Sequence, residues 1–389
     1  MSLSTTGVTR DSIAARAAGF FESTFGGRPA AVGVCPGRIN IIGEHVDYAG
    51  GLCLPAAVDR YLAVAVAPAA SMRVASELFR GHDVALDTLP DEATGTWADP
   101  VFGVLHELAE MLPGGLHVAV VSDIPAGSGL SSSAAISVAT AVACLQLGGR
   151  QLDPYEVARL CRRAENDFVG VPSGLMDQVA CVMGRQDMAL LFHSDTEIVE
   201  GVRLPPNAAW LVCQSGIERT LRGSSYADRP AEAERALALA RQTFRGLRTL
   251  ADLEPGEVER LRLPEPLDRR ARHIAGESLR VRLAVACLEA GNLDALGQLM
   301  ITSHRSLARD MEVSLPELDH LVDILMEAGC YGARLMGAGF GGAVIGLVAE
   351  EMAEEATHVV AERFRPAGAA ARHGGGQIHH VRVVNGALN

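Results

Sequence analysis

Three stretches of the chain concentrate groups that can do chemistry. The first is Pro125-Ala126-Gly127-Ser128-Gly129-Leu130-Ser131-Ser132-Ser133-Ala134, which runs directly into an apolar segment. Glycine lets backbone N–H groups close on an anion and adopts positive φ without strain. Ser131, Ser132 and Ser133 stand where a helix would begin. The unpaired amides and dipole of a helix start attract phosphate. The serine hydroxyls add donors and one oxygen suited to Mg²⁺. A flexible turn closed by a serine cap would use the same residue types. The order of strand, loop and helix, with serines at the junction, favours phosphate over that simpler turn.

The second stretch runs from Pro36 to Pro55 and carries Arg38, Glu44, His45 and Asp47 close together between two strand-like runs. A solvated loop could hold such charges. Against that, Gly37, Gly43, Gly50 and Gly51 shape the chain, and apolar Ile39, Ile41 and Ile42 alternate with Arg38 and Asn40. Two carboxylates, an Arg and a His can all hydrogen-bond a polyhydroxy ligand. The third stretch is Gly174-Leu175-Met176-Asp177-Gln178, preceded by Glu165 late on a helical segment. Alone, Asp177 would suit a helix cap or a buried polar group, and Glu165 a surface helix. Both gain meaning only if the fold brings them to the serine loop.

The elements that must position these groups are readable in outline. Residues 11–24 predict an amphipathic helix, and residues 31–35 and 53–67 predict strands. Residues 99–112 read as helical and residues 116–121 as a strand feeding the glycine-serine loop. Residues 134–147 suit a buried helix. Asp153 as N-cap, Pro154 at the first helical position and Glu156 three residues after the cap start another, predicted to end at Phe168. Strands follow at 188–192 and 209–213, a long helix after Pro230, and further helices within 276–328. A second glycine-rich segment, 337–342, leads into a strand at 343–348. Residues 365–376 read as a flexible Ala- and Gly-rich loop, and 377–384 as the last strand. Strands and helices without regular βαβ alternation predict an α+β fold. The 389 residues predict two domains, 1–190 and 191–389.

Composition narrows the function classes. Hydrophobic residues make up 48% and charged residues 21%, as in ordinary globular proteins. The formal net charge of −13 argues against nucleic acid and anionic membrane as partners. The chain has no lysine, which excludes a Schiff-base lysine and a P-loop ending in Gly-Lys. Phosphate chemistry must therefore rest on Arg, backbone amides and a metal. The eight cysteines are scattered, with no C-x-x-C pair, and predict buried free thiols. No apolar run approaches the ~20 residues that span a bilayer. The polar N-terminus lacks a signal core, so a cytoplasmic protein is expected, either monomeric or a weak homodimer.

With these residues in view, the segment from Gly37 to Pro55 resembles the galactokinase signature G-R-x-N-x-I-G-E-H-x-D-Y-x-x-G-x-x-L-P. The loop 125–134 is similar to the second motif shared by galactokinase, homoserine kinase, mevalonate kinase and phosphomevalonate kinase. Gly337-Ala338-Gly339-Phe340-Gly341-Gly342 resembles their third motif, and Arg334, Ser303-His304 and Pro316-Glu317-Leu318-Asp319 also match. The likeness covers residues 15–350. It implies an N-terminal domain of ribosomal-protein-S5-like type, a C-terminal ferredoxin-like domain, and an active site in the cleft between them. It implies ATP with Mg²⁺ and a sugar phosphorylated at its anomeric hydroxyl. It assigns Asp177 as catalytic base with Arg38 as its cationic partner. Glu44, His45, Asp47, Gly174 and Tyr226 go to the sugar, and Trp97 to the adenine. Pro125, Gly127, Ser128, Gly129, Leu130, Ser131, Ser132, Ser133 and Ala134 go to the nucleotide, with Ser132 or Ser133 and Glu165 on the metal.

The sequence departs from the family pattern in places. Ser173 stands where P-C-G is usual, His193-Ser194-Asp195 where D-C-R is common, Arg219 where a His or Lys is usual, and Met311 where a Tyr is usual. Met336 and Ala338 replace residues of T-G-G-G. Galactose is the expected sugar. The rivals are N-acetylgalactosamine, a uronic acid, or a non-catalytic sugar and ATP sensor. The intact serine loop and Asp177 argue against the sensor.

Overall fold

The computed structural model describes residues 8–79, 81–112, 114–125, 127–217, 226–364 and 377–389. The first seven residues, Ala126, Arg219, residues 223–225 ahead of Tyr226 and the loop 365–376 lie outside them.

The chain opens with α1 (Arg10–Phe25), whose N-terminus is closed by reciprocal hydrogen bonds between Thr9 and Ser12. It continues through β1 (Ala31–Asn40), β2 (Leu52–Cys53), β3 (Pro55–Pro68), β4 (Met72–Ser76), β5 (Val84–Leu86), α2 (Asp99–Glu107) and β6 (Leu116–Ser122). Then come α3 (Ser132–Leu147), α4 (Pro154–Arg163) and α5 (Met176–Met183). Five strands form one sheet in the order β1-β3-β6-β4-β5, antiparallel except for β4 against β6. Its central strands are near-continuous Val and Ala because both faces are covered. Ile13, Ala17 and Phe21 of α1 close one face against Val34, Ala63 and Val121.

The buried helix α3 covers the other face. It comes unusually near at Gly33, where an added Cβ would meet the carbonyl oxygen of Ala139 at 2.1 Å. That contact needs glycine on the strand and small residues on the helix. It sets the height of the serine loop above the sheet.

The rest comprises β7 (Met188–His193), β8 (Ile198–Arg203), β9 (Ala208–Gln214), α6 (Asp228–Thr243), α7 (Pro255–Leu261), α8 (Leu267–Glu289) and α9 (Leu293–Arg309). The chain ends with α10 (Pro316–Glu327), β10 (Gly332–Met336), β11 (Ala343–Ala349), α11 (Ala353–Arg363) and β12 (Ile378–Val381). An antiparallel sheet, β10-β11-β9-β12, is covered on one face by α10 and α11 through Leu318, Leu321, Ala356 and Val360. From its other face Trp210, Val212, Ile345 and Leu347 join the main core with Ile274 of α8 and Leu296 of α9. A small sheet, β2-β7-β8, completes the strands, and residue 190 lies inside β7. The fold is α+β, as the sequence pattern predicts.

Several elements differ from the expectation. The helix read over 99–112 ends at Glu107 and tightens into a 3₁₀ turn, Ala109–Met111, ahead of Pro113. A residue before proline is disfavoured in the α region. The helix that starts at Pro154 stops being α-helical at Arg163 and widens into a π turn, Ala164–Val169, which Gly170 ends at φ 81°. Strand β12 is shorter than 377–384, although Val383 still bridges to Val58. Strands β4, β5, β8 and β10 and helices α5, α7 and α11 are not evident in the sequence.

Candidate active site

One cavity of about 650 Å³ gathers the three chemical stretches. It is lined by Arg38, Glu44, His45 and Asp47, by Gly127, Ser128, Gly129, Ser131, Ser132 and Ser133, and by Glu165, Gly174, Asp177 and Tyr226. Leu130 and Ala134 turn their side chains into the core instead. Pro125 serves the turn, its carbonyl accepting from Ser128 N at 3.2 Å.

The serine loop turns unpaired donors toward the cavity. Gly127 and Gly129 sit at φ 69° and 70°. Ser131 precedes α3 at φ 57°, and no side chain caps that helix. Its first amides are therefore not satisfied by a cap. Ser128 Oγ is buried on the cavity wall with no hydrogen-bond partner among the described residues. A buried hydroxyl in that state calls for a ligand or water.

Strand β1 delivers Arg38 and the start of α5 delivers Asp177. Arg38 Nε donates to Asp177 Oδ1 and Nη2 to Oδ2, both at 2.8 Å. This fork-to-fork pairing fixes both side chains. Arg38 Nη1 donates to Gly129 O at 2.5 Å, which ties the pair to the phosphate loop. Arg38 is 4% exposed while Asp177 is 29% exposed, so the carboxylate keeps a face on the cavity.

The turn after β1 presents the remaining polar groups. Glu44 Oε1 accepts from Gly337 N at 2.6 Å, and Arg334 Nη2 lies 3.5 Å from it. The third glycine-rich motif therefore braces this turn. His45 bonds at both ring nitrogens: Nε2 donates to Ala338 O at 3.1 Å and Nδ1 accepts from Tyr48 OH at 2.9 Å. Burial first, then nearby His273, pushes its pKa down to about 3, so the ring is neutral. Asp47 is pushed up to about 7 by burial and then by Asp177 and Glu44. Gly174 faces it closely enough that an added Cβ would meet Asp47 Oδ2 at 1.9 Å. Tyr226 packs on His45 with ring centroids 5.7 Å apart.

Glu165 rides on the π turn and reaches the serines. Its Oε2 accepts from Ser173 Oγ at 2.8 Å and from Gln178 Nε2 at 2.7 Å. Burial raises its pKa, opposed by hydrogen bonds from Ser173, Ser133 and Gln178. One carboxylate beside serine hydroxyls is a hard-oxygen donor set. It fits Mg²⁺, which usually takes one or two protein carboxylates plus phosphate oxygens.

Trp97 does not line this cavity; it lines a neighbouring recess. Phe79 lines both and stacks on Trp97 with centroids 5.4 Å apart, and Leu78 lies beside it. Leu78 and Phe79 are 52% and 41% exposed, an apolar wall with no pattern in the sequence to mark it. Tyr48, Gln214 and Ile217 also line the cavity without having been singled out. Tyr48 follows Asp47 within the signature and could have been found there.

The fold and cavity define a small-molecule kinase of the GHMP class. Family models match at residues 99–185 (GHMP kinases N terminal domain), 19–68 (galactokinase galactose-binding signature) and 284–365 (GHMP kinases C terminal). The chain belongs to the galactokinase family. Galactokinase from Roseiflexus sp. (strain RS-1) is 39% identical over 354 residues, 89% of this chain and 90% of its own. The dog (Canis lupus familiaris) galactokinase is 37% identical and covers 88% of this chain and 90% of its own. The crystal structure of Lactococcus lactis galactokinase complexed with galactose superposes with a TM-score of 0.83 at 30% identity. It covers 96% of this chain and 98% of its own. Mevalonate kinase of Methanococcus jannaschii, at 19% identity and TM-score 0.63 over 91% of this chain and 98% of its own, shares the fold.

Proposed function

We propose that the protein transfers the terminal phosphoryl group of ATP to the anomeric hydroxyl of D-galactose, giving α-D-galactose 1-phosphate and ADP. The carrying observation is the clamp that joins Asp177 to Arg38 and, through Gly129, to the serine loop. It sets a carboxylate and an anion-binding loop on one cavity.

A sugar hydroxyl is a poor nucleophile until a base shares its proton. Asp177 takes that proton at Oδ1 or Oδ2, and the Arg38 guanidinium paired with it stabilises negative charge on the attacking oxygen. The uncapped start of α3 and the Ser128 hydroxyl hold phosphate oxygens. Phosphoryl transfer otherwise needs alignment and charge neutralisation. Mg²⁺, held by Glu165 and Ser132 or Ser133, would supply that neutralisation when bound. Glu44, His45, Asp47 and Tyr226 orient the sugar. A site built around buried hydroxyls discriminates epimers, because a mismatch leaves polar groups unpaired. Glu44 also disfavours a uronic acid, whose carboxylate would face it.

A coupled ADP-release assay over galactose, glucose, N-acetylgalactosamine and galacturonate tests the assignment. Turnover confined to a sugar other than galactose would defeat it. Asp177→Asn should bind galactose normally by calorimetry while kcat falls by about 10²–10⁴. Near-parental kcat would remove Asp177 from the role of base.

A further inference from the structure

The turn that carries Glu44, His45 and Asp47 is held from behind by α8. We propose that Glu277 and His273 are positioning residues for sugar binding, fixing the backbone at Gly43 and Glu44 without touching the sugar. Both are fully buried, sit one turn apart on α8, and lie off the cavity.

The contacts are specific. Glu277 Oε1 accepts from Gly43 N at 3.0 Å and from Ser303 Oγ at 2.6 Å. Its Oε2 accepts from Arg280 Nε at 2.7 Å. His273 Nε2 donates to Glu44 O at 2.9 Å, and its Nδ1 lies 2.9 Å from Ser306 Oγ. The two anchors thus grip an N–H and a C=O on successive residues.

The backbone they grip leads directly into a strained residue. His45, immediately after, sits at φ 58°, a left-handed conformation rare for a residue with a Cβ. Gly43 sits at φ 100°, where an added Cβ would meet Leu52 O at 2.5 Å and Cys53 Cα at 2.7 Å. A left-handed non-glycine residue such as His45 persists only where the surroundings over-determine it, and such residues cluster at ligand sites. The anchors supply that constraint.

The chemistry of Glu277 supports the same role. Burial alone would raise its pKa, yet Arg280, His273 and Arg334 bring it down to about 2, so it stays charged. A buried ion pair is weak evidence for stability, since apolar residues of equal volume often serve as well. A charge does give the Gly43 amide a strong acceptor at one fixed place.

This inference rests on the turn being the sugar site. The test compares Glu277→Gln, His273→Phe, His273→Gln and Ser303→Ala with Asp47→Asn as reference. Galactose KM should rise about tenfold in the first two and about threefold in Ser303→Ala, with ATP KM within about twofold of the parent. His273→Gln, whose amide can still donate to Glu44 O, should recover most of the affinity. Folded variants with unchanged galactose KM, or with both KM values rising together, overturn the role. If Glu277→Gln does not fold, the His273 and Ser303 variants decide on the same readouts. Asp47→Asn separates the failures. If it raises galactose KM while the α8 variants do not, the anchors alone are wrong. If no variant moves it, the sugar-site reading itself is wrong.

Discussion

Ser131 Oγ donates a hydrogen bond to Asp177 Oδ2, the same oxygen that accepts from Arg38 Nη2. Ser131 occupies the cap position of α3, at φ 57°, yet its hydroxyl turns away from the helix. The consequence is double. The carboxylate gains a third fixed donor, and the amides of α3 stay uncapped beside the proposed phosphate site.

Replacing that hydroxyl should affect chemistry more than binding. Ser131→Ala is expected to lower kcat by about 10–100-fold, a fraction of what a positioned base contributes. Galactose KM should move by no more than about threefold. Steady-state kinetics on the purified variant check this. An unchanged kcat would mean the hydroxyl does nothing for Asp177 beyond packing.

Gly174 gives a sharper probe of the proposed sugar pocket. Gly174 does not sit in the left-handed region, so Gly174→Ala adds crowding without the strain of a positive φ. The new methyl would press on Asp47 Oδ2, whose carboxylate is held by the amides of Tyr48 and Met176. Galactose KM should rise about tenfold while ATP KM stays put. Equal effects on both substrates would show that Asp47 does not belong to the sugar side.

Asp47 also makes a pH prediction. Its pKa is raised in the folded protein to about 7 from an ordinary carboxylate value, by burial and then by Asp177 and Glu44. The folded state therefore holds this proton more tightly than the unfolded chain. Stability from this group falls as pH rises between the unfolded and folded values. Asp47→Asn removes that slope. Its stability relative to the parent should be greater at pH 8 than at pH 5 in sugar-free urea unfolding. The same difference at both pH values would contradict the raised pKa.

The sequence revealed motifs better than it revealed their supports. Arg38 and the serine loop were legible because glycines, serines and charged residues stand out by type, whereas Asp177 was marked only by the family resemblance. The cap at Asp153 and the strand feeding the loop followed from local chemistry. What stayed hidden depends on contacts distant in sequence. Glu277 meets Gly43 across 234 positions, and a glutamate midway along a helix otherwise reads as surface. The π turn under Glu165 leaves no residue signature. Strand β10, ending at Met336 just before the third motif, is too short to show a period.

The apolar wall supplies the last prediction. The family resemblance gives adenine to Trp97, yet its indole Nε1 donates to His82 O at 2.8 Å and its ring lies behind Phe79. Phe79, not Trp97, shares a cavity with the serine loop. An exposed aromatic at that mouth can stack on a base, worth about 1–3 kcal/mol where measured by truncation. Phe79→Ala should therefore raise ATP KM by about tenfold or more at unchanged galactose KM. Trp97→Ala should act more weakly, by loosening the ring on which Phe79 stacks. The double variant should then add little to Phe79→Ala, since both act through one surface. If Trp97→Ala proves the more damaging, the indole meets the nucleotide directly and Phe79 only screens it.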